Sequence, residues 1–549
     1  MFKKTNINSQ LSIFSSAESN LKGTAKRFYN NVNSWHNVFR NQVYSRVDES
    51  IFSVLYSGGM GAPNASIRTM ISMMIIKEGH GYSDDELFED CHFNSLTRAA
   101  LGLFNNDDTI PTKSTYYSFR KRVAEYDQST GENLIETAFA SITKGQAYDF
   151  KVSGKSIRMD SKLIGSNIAW YSRYEIVHES LRLFWKEQAE ILKKDLDQES
   201  IEQLDSILIE KGNKVVYRSS NNEIKPKLQE LGVIIYKLLQ LPSLQQSNHQ
   251  KTLSLVFEQQ FKFEEEIIIA RPKEEIKADS IQSPHDTDAD YRDKDGNKKK
   301  GFSENVTESC GEKLRLISNI ETSSATTADC HLLENGVKKS EDIFGEKAEF
   351  VHTDGAYHSP ENQKFCENNG TDLIIPKIQG AQSRYDLTLL ENNELTVKDT
   401  ETDEYHSVHK VKDKEKWRII TENGYRYFTI KDIETCQLRK KLKQIPVELL
   451  NIRNNVEATI FQLGFHYPND KTRYRGLSKH KMWANFRGLW INFVRIKNYL
   501  IDICQRSCFL SKIALNLFFE KLFWALNLLI INFYHYRLLC SPKRKFLVF

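Results

Sequence analysis

The chain of 549 residues is too long to bury around a single hydrophobic core, so several domains are expected. Its hydrophobic fraction of 40% and charged fraction of 27% are ordinary for a globular protein and argue against intrinsic disorder. A net charge of +4, from 76 basic and 72 acidic residues, is too small to indicate nucleic-acid binding. Evidence for such binding must therefore be sought in local clusters of basic residues.

The cysteines and the N-terminus predict the cellular compartment. The eight cysteines contain no C-x-x-C pair and are expected to be reduced thiols. The polar start MFKKTNINSQ lacks the apolar core of a signal peptide, which predicts a cytoplasmic protein. The apolar stretch 513–533 approaches the length of a membrane span, but Glu520 and Lys521 interrupt it. It is interpreted as a buried or partner-facing helix, and no membrane association is expected.

Residues 1–150 are predicted to form a helical domain that binds DNA. A helix is expected over 66–77, and Ser83 with Glu86 forms the capping box of the next helix. A third helix after Pro111 interleaves aromatic and basic side chains, which suits contact with a phosphate backbone. The alternative is an ordinary amphipathic helix with a solvated basic face. The residues predicted to contact DNA are Lys113, Arg120, Lys121 and Arg122.

A strand is predicted around Asp160, because KSIRMDSKLIGSNI alternates in the manner of a strand or hairpin. This strand opens the next unit, at 151–170. Residues 171–280 then return to long, charged, helical periodicity and are interpreted as a helical insertion. Packing or dimerisation is the favoured role of this insertion, with DNA contact as the alternative.

Strands and helices alternate over 281–380, which predicts a mixed α/β sheet with helices on its faces. Strands are expected from 301, over 313–325, over 346–357 and over 371–378, with helices around 329–344 and from Pro360. The aspartates at 286, 288, 290, 293 and 295 resemble a calcium loop, but Tyr291 stands where such a loop needs glycine. They are interpreted as a polar loop that enters the next strand.

The rest of the chain divides into a β-rich insertion and helices. Turn signals at 392–393 and 423–424 punctuate short strands, and the insertion is placed at 381–445. Helical periodicity returns at about Val447, which gives final core helices over 446–500 and a hydrophobic helical tail over 501–549.

Two aspartates of the predicted sheet are candidates for metal-dependent phosphodiester chemistry. That chemistry uses acidic oxygens to hold two Mg²⁺ or Mn²⁺ ions. Asp160 and Asp354 each interrupt an apolar stretch, where a metal ion would explain the buried charge. The alternative for Asp354 is a turn cap. The best third ligand is Glu457, at the edge of the apolar face of a later helix, although a lone glutamate on a helix is usually just solvated.

A second basic cluster follows Glu457 and is interleaved with aromatic side chains. Such spacing offers phosphate contacts and stacking surfaces, so DNA contact is favoured over a merely solvated face. The residues assigned to this contact are Lys471, Arg473, Tyr474, Arg475, Lys479, Lys481 and Arg487.

Four segments in this order resemble the ordered blocks of DDE transposases from insertion sequences. They are SIRMDSKLIGSN, DTDADYRDKDGNKKKGFSENV, FVHTDGAYHSPEN and NNVEATIFQLGFHYPNDKTRYRGLSKHKMWANFRGLWINFVRI. The region GMGAPNASIRTMISMMIIKEGHGYSDDELFEDCHFNSLTRAALGL resembles the helical domain that precedes many such cores. The resemblance covers most of residues 55 to 500. One departure concerns the family's Tyr-Arg-Glu-Lys spacing, since Glu457 precedes the KTRYRGLSKHK block instead of lying inside it.

The resemblance implies a ribonuclease-H-like mixed sheet whose metal ligands are Asp160, Asp354 and Glu457. It further implies two Mg²⁺ or Mn²⁺ ions, nicking at terminal inverted repeats and transfer of the freed 3′-hydroxyl into target DNA. The expected partners are transposon-end and target DNA and a second protomer, as a homodimer on DNA. Two alternatives stay open: a metal-dependent nuclease of the same fold, and an inactive or domesticated DNA-binding derivative.

Overall fold

The computed structural model describes residues 1–5, 16–59, 61–294, 296–378, 380, 383–390, 394–411, 415–422 and 424–507. Three features predicted from the sequence lie outside these residues. They are the turn at 392–393, the aspartate at 295 and the apolar helix over 513–533.

The first part of the chain is helical, as the sequence predicts. Ser66 and Ser83 both cap helices, and the predicted capping box of Ser83 and Glu86 is present in the structure. The predicted helices over 66–77 and after Ser83 are therefore confirmed. The helices of this region are α1 (Gly23–Asn30), α2 (Trp35–Gln42), α3 (Ile67–His80), α4 (Asp84–Phe93), α5 (Ser95–Ala100), α6 (Lys113–Thr130) and α7 (Leu134–Phe150).

Strand β1 (Ser156–Gly165) follows, and a helical insertion comes after it. The insertion has its own apolar core, with Phe184, Ile235 and Leu253 fully buried. It also contains a small hairpin, β2 (Phe261–Glu264) and β3 (Ile267–Ala270), which the sequence analysis did not predict. The helices of the insertion are α8 (Arg173–Leu192), α9 (Gln198–Ile209), α10 (Gly212–Arg218), α11 (Asn221–Leu239) and α12 (Asn248–Gln260).

The next strands complete the main sheet with β1. The polar aspartate loop does enter a strand, but that strand begins at Asp290, earlier than predicted. Asp286 accepts hydrogen bonds from Ser166 and from the backbone of Gly476, so this aspartate binds other segments of the chain. The elements are β4 (Asp290–Lys294), β5 (Asn297–Ser309), β6 (Ile317–Ser324), α13 (Leu333–Phe344), β7 (Phe350–His352), α14 (Pro360–Asn369) and β8 (Asp372–Ile374).

The main sheet is mixed, with strand order β6–β5–β1–β7–β8. Strand β5 pairs antiparallel with β1 on one side and with β6 on the other, and β4 pairs with the beginning of β5. Strand β7 pairs parallel with β1 and with β8. The sheet is thus antiparallel on one side of β1 and parallel on the other, which confirms the predicted mixed α/β sheet.

The β-rich insertion forms two three-stranded sheets, β11–β10–β9 and β12–β13–β14, that share a small core. A helix, α15, ends the insertion, so helical structure returns at Ile430 and not at the predicted Val447. The elements are β9 (Tyr385–Leu389), β10 (Leu395–Asp399), β11 (Tyr405–His406), β12 (His409–Lys410), β13 (Lys416–Thr421), β14 (Gly424–Thr429) and α15 (Ile430–Lys443).

The chain then returns to the main sheet through α16 (Val447–Asn451), a 3-10 turn at Ile452–Asn455 and α17 (Val456–Gly464). The last helix, α18, is described over 477–507. The largest apolar core joins α18 to the N-terminal helices and to one face of the sheet, through Trp483, Phe493, Phe39, Phe139 and Ile320. The beginning and the end of the described chain are therefore packed into one unit over the sheet.

Candidate active site

Asp160 lies within β1, and Asp354 lies just after β7, the parallel neighbour of β1, at the same level of the sheet. The last paired residues of β1 and β7 are Arg158 and His352, and each aspartate comes two residues later. Because side chains alternate along a strand, both carboxylates are expected on the face of the sheet to which Arg158 belongs. Asp354 also accepts a hydrogen bond from the backbone of Ala356 at 2.8 Å, so it caps the turn as well.

Arg453 connects the two carboxylates. Its Nη2 atom lies 3.4 Å from Oδ2 of Asp160 and 4.0 Å from Oδ2 of Asp354. This arginine was not predicted from the sequence. No local signal singles it out, because Arg453 lies in the 3-10 turn before α17 and its contact with two carboxylates depends on the folded chain.

The environment of Asp160 opposes its ionisation. Burial raises the pKa of this carboxyl, the guanidinium of Arg453 lowers it, and the charge of Asp354 raises it again. Asp160 is only 8% exposed. Two close carboxylates in such a place need a compensating cation, and here Arg453 supplies the positive charge.

Glu457 lies in the first turn of α17 and is exposed. It is one helical turn beyond Arg453, which contacts both aspartates. Among the residues that the structure describes, no group of three histidine, cysteine, aspartate or glutamate side chains is arranged to hold a metal ion. The structure thus brings Asp160 and Asp354 together and leaves Glu457 outside that pair.

A buried polar cluster fixes the helix that carries Glu457. Its centre is Glu308 of β5, which is 0% exposed and accepts a hydrogen bond from Arg158 Nε at 2.7 Å. Its other oxygen accepts from Arg495 of α18 at 2.7 Å and from Thr459 of α17 at 2.8 Å. Arg158 also donates to the carbonyl of Ile452 at 3.0 Å, which anchors the turn just before Arg453.

The basic residues of α6 that were predicted to contact DNA differ in their contacts and in their exposure. Arg120 lies between the rings of Tyr116 and Tyr474 and is paired with Asp84 at 3.3 Å. Lys113 is paired with Asp85, and Arg122 lies over the ring of Tyr56. Lys121 and Arg122 are both exposed, and 75% of the Lys121 side chain is accessible beside Glu125.

The second basic cluster is divided between the interior and the surface. Arg487 is 3% exposed and donates to the backbone carbonyls of Leu463, Glu78 and Gly79, so it packs inside the protein. The hydroxyl of Tyr474 is bound to Glu78, which turns this tyrosine inward as well. Arg487 of α18 and Tyr474, just before α18, are thus directed toward Glu78 of α3.

The remaining members of that cluster reach the surface to different degrees. Lys481 is paired with Asp127 at 3.4 Å, and Lys471 and Arg475 donate to the backbone carbonyls of Ile168 and Asn167. Arg473 and Lys479 are exposed. Contact of these exposed residues with DNA stays a prediction.

Comparison with known proteins gives one match. Residues 28–122 match the model of the family described as Transposase domain (DUF772), and this range covers α2 to α5 and half of α6. No match was found to a curated protein or to a solved structure. The match indicates a transposition-related function with DNA as a partner. In the part of the chain that the structure describes, no helix combines the length and the apolar character needed to span a membrane.

Proposed function

We propose that this chain is a DDE transposase that cleaves DNA at terminal inverted repeats and transfers the freed end into target DNA. The transposase-domain match at 28–122 supports the biological role. The sheet order β6–β5–β1–β7–β8, antiparallel on one side of β1 and parallel on the other, supports a ribonuclease-H-like core. Cytoplasmic location and a homodimer on paired transposon ends belong to the same proposal.

One observation carries the proposal: Asp160 and Asp354 meet at one guanidinium, at equivalent positions of neighbouring parallel strands. This donor set suits hard divalent cations, since Mg²⁺ and Mn²⁺ bind carboxylate oxygens. Asp160 and Asp354 are the residues that would hold the ions, and Glu457, which stands apart from this pair on α17, is proposed to join them as the third ligand. When bound, two such ions activate the attacking oxygen and stabilise the leaving oxygen of a phosphodiester.

The chain's own residues have distinct tasks in this proposal. Asp160, buried within β1, and Asp354, half-buried just after β7, provide a negative site on the sheet. Arg453, on the segment that leads into α17, provides a positive charge next to the place where a DNA phosphate would lie. The cluster around Glu308 holds that segment against β1, so that Glu457 projects from a fixed helix.

Nicking of the native inverted repeats in the presence of Mg²⁺ tests the proposal. We expect wild type to nick and Asp354→Ala to lose at least about a hundredfold in rate, because metal ions that stabilise transition-state charge contribute several kcal/mol. Asp372→Ala is the matched control, since Asp372 is an exposed aspartate on the adjacent strand β8.

Equal nicking by wild type and Asp354→Ala would show that Asp354 does not belong to the active site, and the assignment of this site would be rejected. Nicking that depends on Asp354 but never joins the freed 3′-end to target DNA would instead identify a nuclease of the same fold. DNA binding without nicking by either protein would identify an inactive derivative.

A further inference from the structure

One face of the β12–β13–β14 sheet is unusually apolar and basic for a surface exposed to solvent. Ile420 is 62% exposed, Tyr425 is 59% exposed and Tyr427 is 50% exposed. Large apolar side chains grouped in this way at a surface generally mark a binding site. The stacking face, as we name it, consists of His409, Lys416, Arg418, Ile420, Tyr425 and Tyr427.

The strand register places these residues on one side of the sheet. Arg418 is paired directly with Tyr427 and with His409, and Ile420 is paired with Tyr425. Residues that face each other across antiparallel strands project from the same side. The opposite side carries Trp417, Ile419 and Phe428, which are buried in the core of the insertion. Because one side of the sheet is buried in this core, the other side, which is the stacking face, is exposed to solvent.

The charge of the stacking face suits an anionic ligand. The guanidinium of Arg418 lies 4.8 Å from the ring centroid of Tyr425. Among the residues that the structure describes, no carboxylate forms an ion pair with Lys416 or Arg418. Within the described part of the chain these two positive charges are thus without an ion-pair partner, and the rings of Tyr425 and Tyr427 lie beside Arg418.

Another tyrosine of the same insertion has the opposite surroundings. Tyr405, on β11, is 72% exposed, and the cation over its ring is Lys398. Lys398 is already paired with Asp403 at 2.6 Å, and Glu404 precedes the tyrosine. Both sheets therefore expose a tyrosine, but only Tyr425 and Tyr427 lie beside cations that form no ion pair with any described residue.

The insertion begins and ends beside the candidate active site. A side chain at Gly355, directly after Asp354, would overlap the carbonyl oxygen of Lys377, just before the insertion. Arg453, shortly after the insertion, has its Nη2 atom 4.0 Å from Oδ2 of Asp354. Both ends of the insertion thus contact the segment that carries Asp354.

We propose that the stacking face binds an unpaired strand of DNA. Nucleobases stack on exposed aromatic rings, and neighbouring cations hold the phosphates, without a requirement for a particular sequence. Base pairs in a duplex keep their flat faces covered, so the tyrosines favour unpaired bases. The choice of DNA over another polyanion rests on the proposed function, whereas the surface itself follows from burial, register and charge.

Binding by the full chain with the substitution Asp354→Ala, which prevents cleavage, tests this proposal. The probe is a fluorescein-labelled thymidine oligonucleotide of about 12 nucleotides, within the usual site sizes. We expect Tyr425→Ala with Tyr427→Ala to raise Kd about tenfold or more, and Tyr405→Ala to leave it unchanged. Arg418→Gln is expected to flatten the slope of log Kd against log salt by about 0.7.

Three outcomes would overturn the proposal. The first is an equal Kd for the unpaired probe in the double variant and in the Tyr405→Ala control, with equal melting midpoints. The second is an equal loss of affinity for a duplex of the same length. The third is a change of oligomeric state in sedimentation with Kd for the probe unchanged, which would assign the face to a second copy of the chain.

The test is separable from the proposed function. Metal-dependent nicking is measured with Asp354 intact, whereas binding to the stacking face is measured with Asp354 replaced. If the protein does not nick DNA but its stacking face still binds the unpaired probe, the transposase chemistry is rejected and the proposed DNA-binding surface stands.

Discussion

Glu304 and Glu308 are fully buried on the same face of β5, and their surroundings differ. Burial acts to raise the pKa of Glu308, but Arg495 and Arg158 outweigh it and lower the pKa. Glu304 accepts a hydrogen bond from the hydroxyl of Thr322, and burial raises its pKa to about 8. One strand thus contains an ionised glutamate inside a charged cluster and a protonated glutamate in a neutral setting.

The protonated Glu304 makes a pH-dependent contribution to stability. An unfolded glutamate releases its proton near pH 4.5, whereas the folded one retains it up to about pH 8, so the unfolded state binds fewer protons in between. The free energy of unfolding therefore falls as pH rises through this window. His480, 3.9 Å from Glu304, has its pKa lowered by burial to about 3, which gives the opposite slope below about pH 6.5.

We expect the effect of Glu304 to be visible alone between about pH 6.5 and pH 8, because buried histidines contribute at lower pH. The melting midpoint of wild type should fall across this range, and that of Glu304→Gln should change less. Thermal unfolding at both pH values measures the difference. Parallel pH profiles for the two proteins would mean that Glu304 is ionised in the folded state.

Two residues of the candidate site, Asp160 and Asp354, were predicted from the sequence, and Arg453, which contacts both, was not. Asp160 and Asp354 could be predicted because each is a charge within or directly after a strand-forming apolar stretch. Arg453 could not, since a surface helix normally contains arginines and only the folded chain shows which one meets two carboxylates. The sequence likewise did not show that Tyr474 and Arg487 are directed inward, because their basic and aromatic neighbours in the sequence suggested a DNA-contacting surface.

Among the elements, α3 and α18 pack so closely that one glycine is required between them. Gly79 of α3 faces the ring of Trp490, and a β-carbon there would overlap the indole. This contact joins the region that matches a transposase domain to the end of the described chain.

Gly79→Ala is therefore expected to destabilise the protein by about 1–3 kcal/mol, the usual effect of overpacking a core. Urea unfolding followed by tryptophan fluorescence measures the change. Gly145→Ala in α7 is the control, because its β-carbon meets only the flexible end of Arg46. Alanine should be neutral or slightly stabilising there. Equal midpoints for the two variants would show that α18 is not packed on α3 in this way.

The elements that could be predicted are those with local signals. Ser83 and Glu86 mark a helix start that the structure contains, and alternation marks β1. The hairpin β2–β3 has no such signal, because its turn is made by Glu265 and Glu266 in the left-handed conformation, where glycine or asparagine is usual. The strand β4 was missed because its residues, Asp290–Lys294, are polar and charged.

For the whole molecule, strand pairing is what makes the two distant aspartates into one site. They are far apart in the sequence, and the helical insertion between them folds around its own core. The parallel pairing of β1 with β7 follows from a crossover that includes β5, β6 and α13. Sequence periodicity predicts the elements of that crossover, but it does not determine which strands become neighbours.

The central claim is that Asp160 and Asp354 share a divalent cation, and Mn²⁺ binding by the full chain tests it most directly. Electron paramagnetic resonance of the free ion gives the affinity without any DNA. We expect Asp160→Asn and Asp354→Asn each to weaken Mn²⁺ binding by about tenfold or more, and Asp372→Asn to leave it unchanged. Unaltered Mn²⁺ affinity in both of the first two variants would contradict the account.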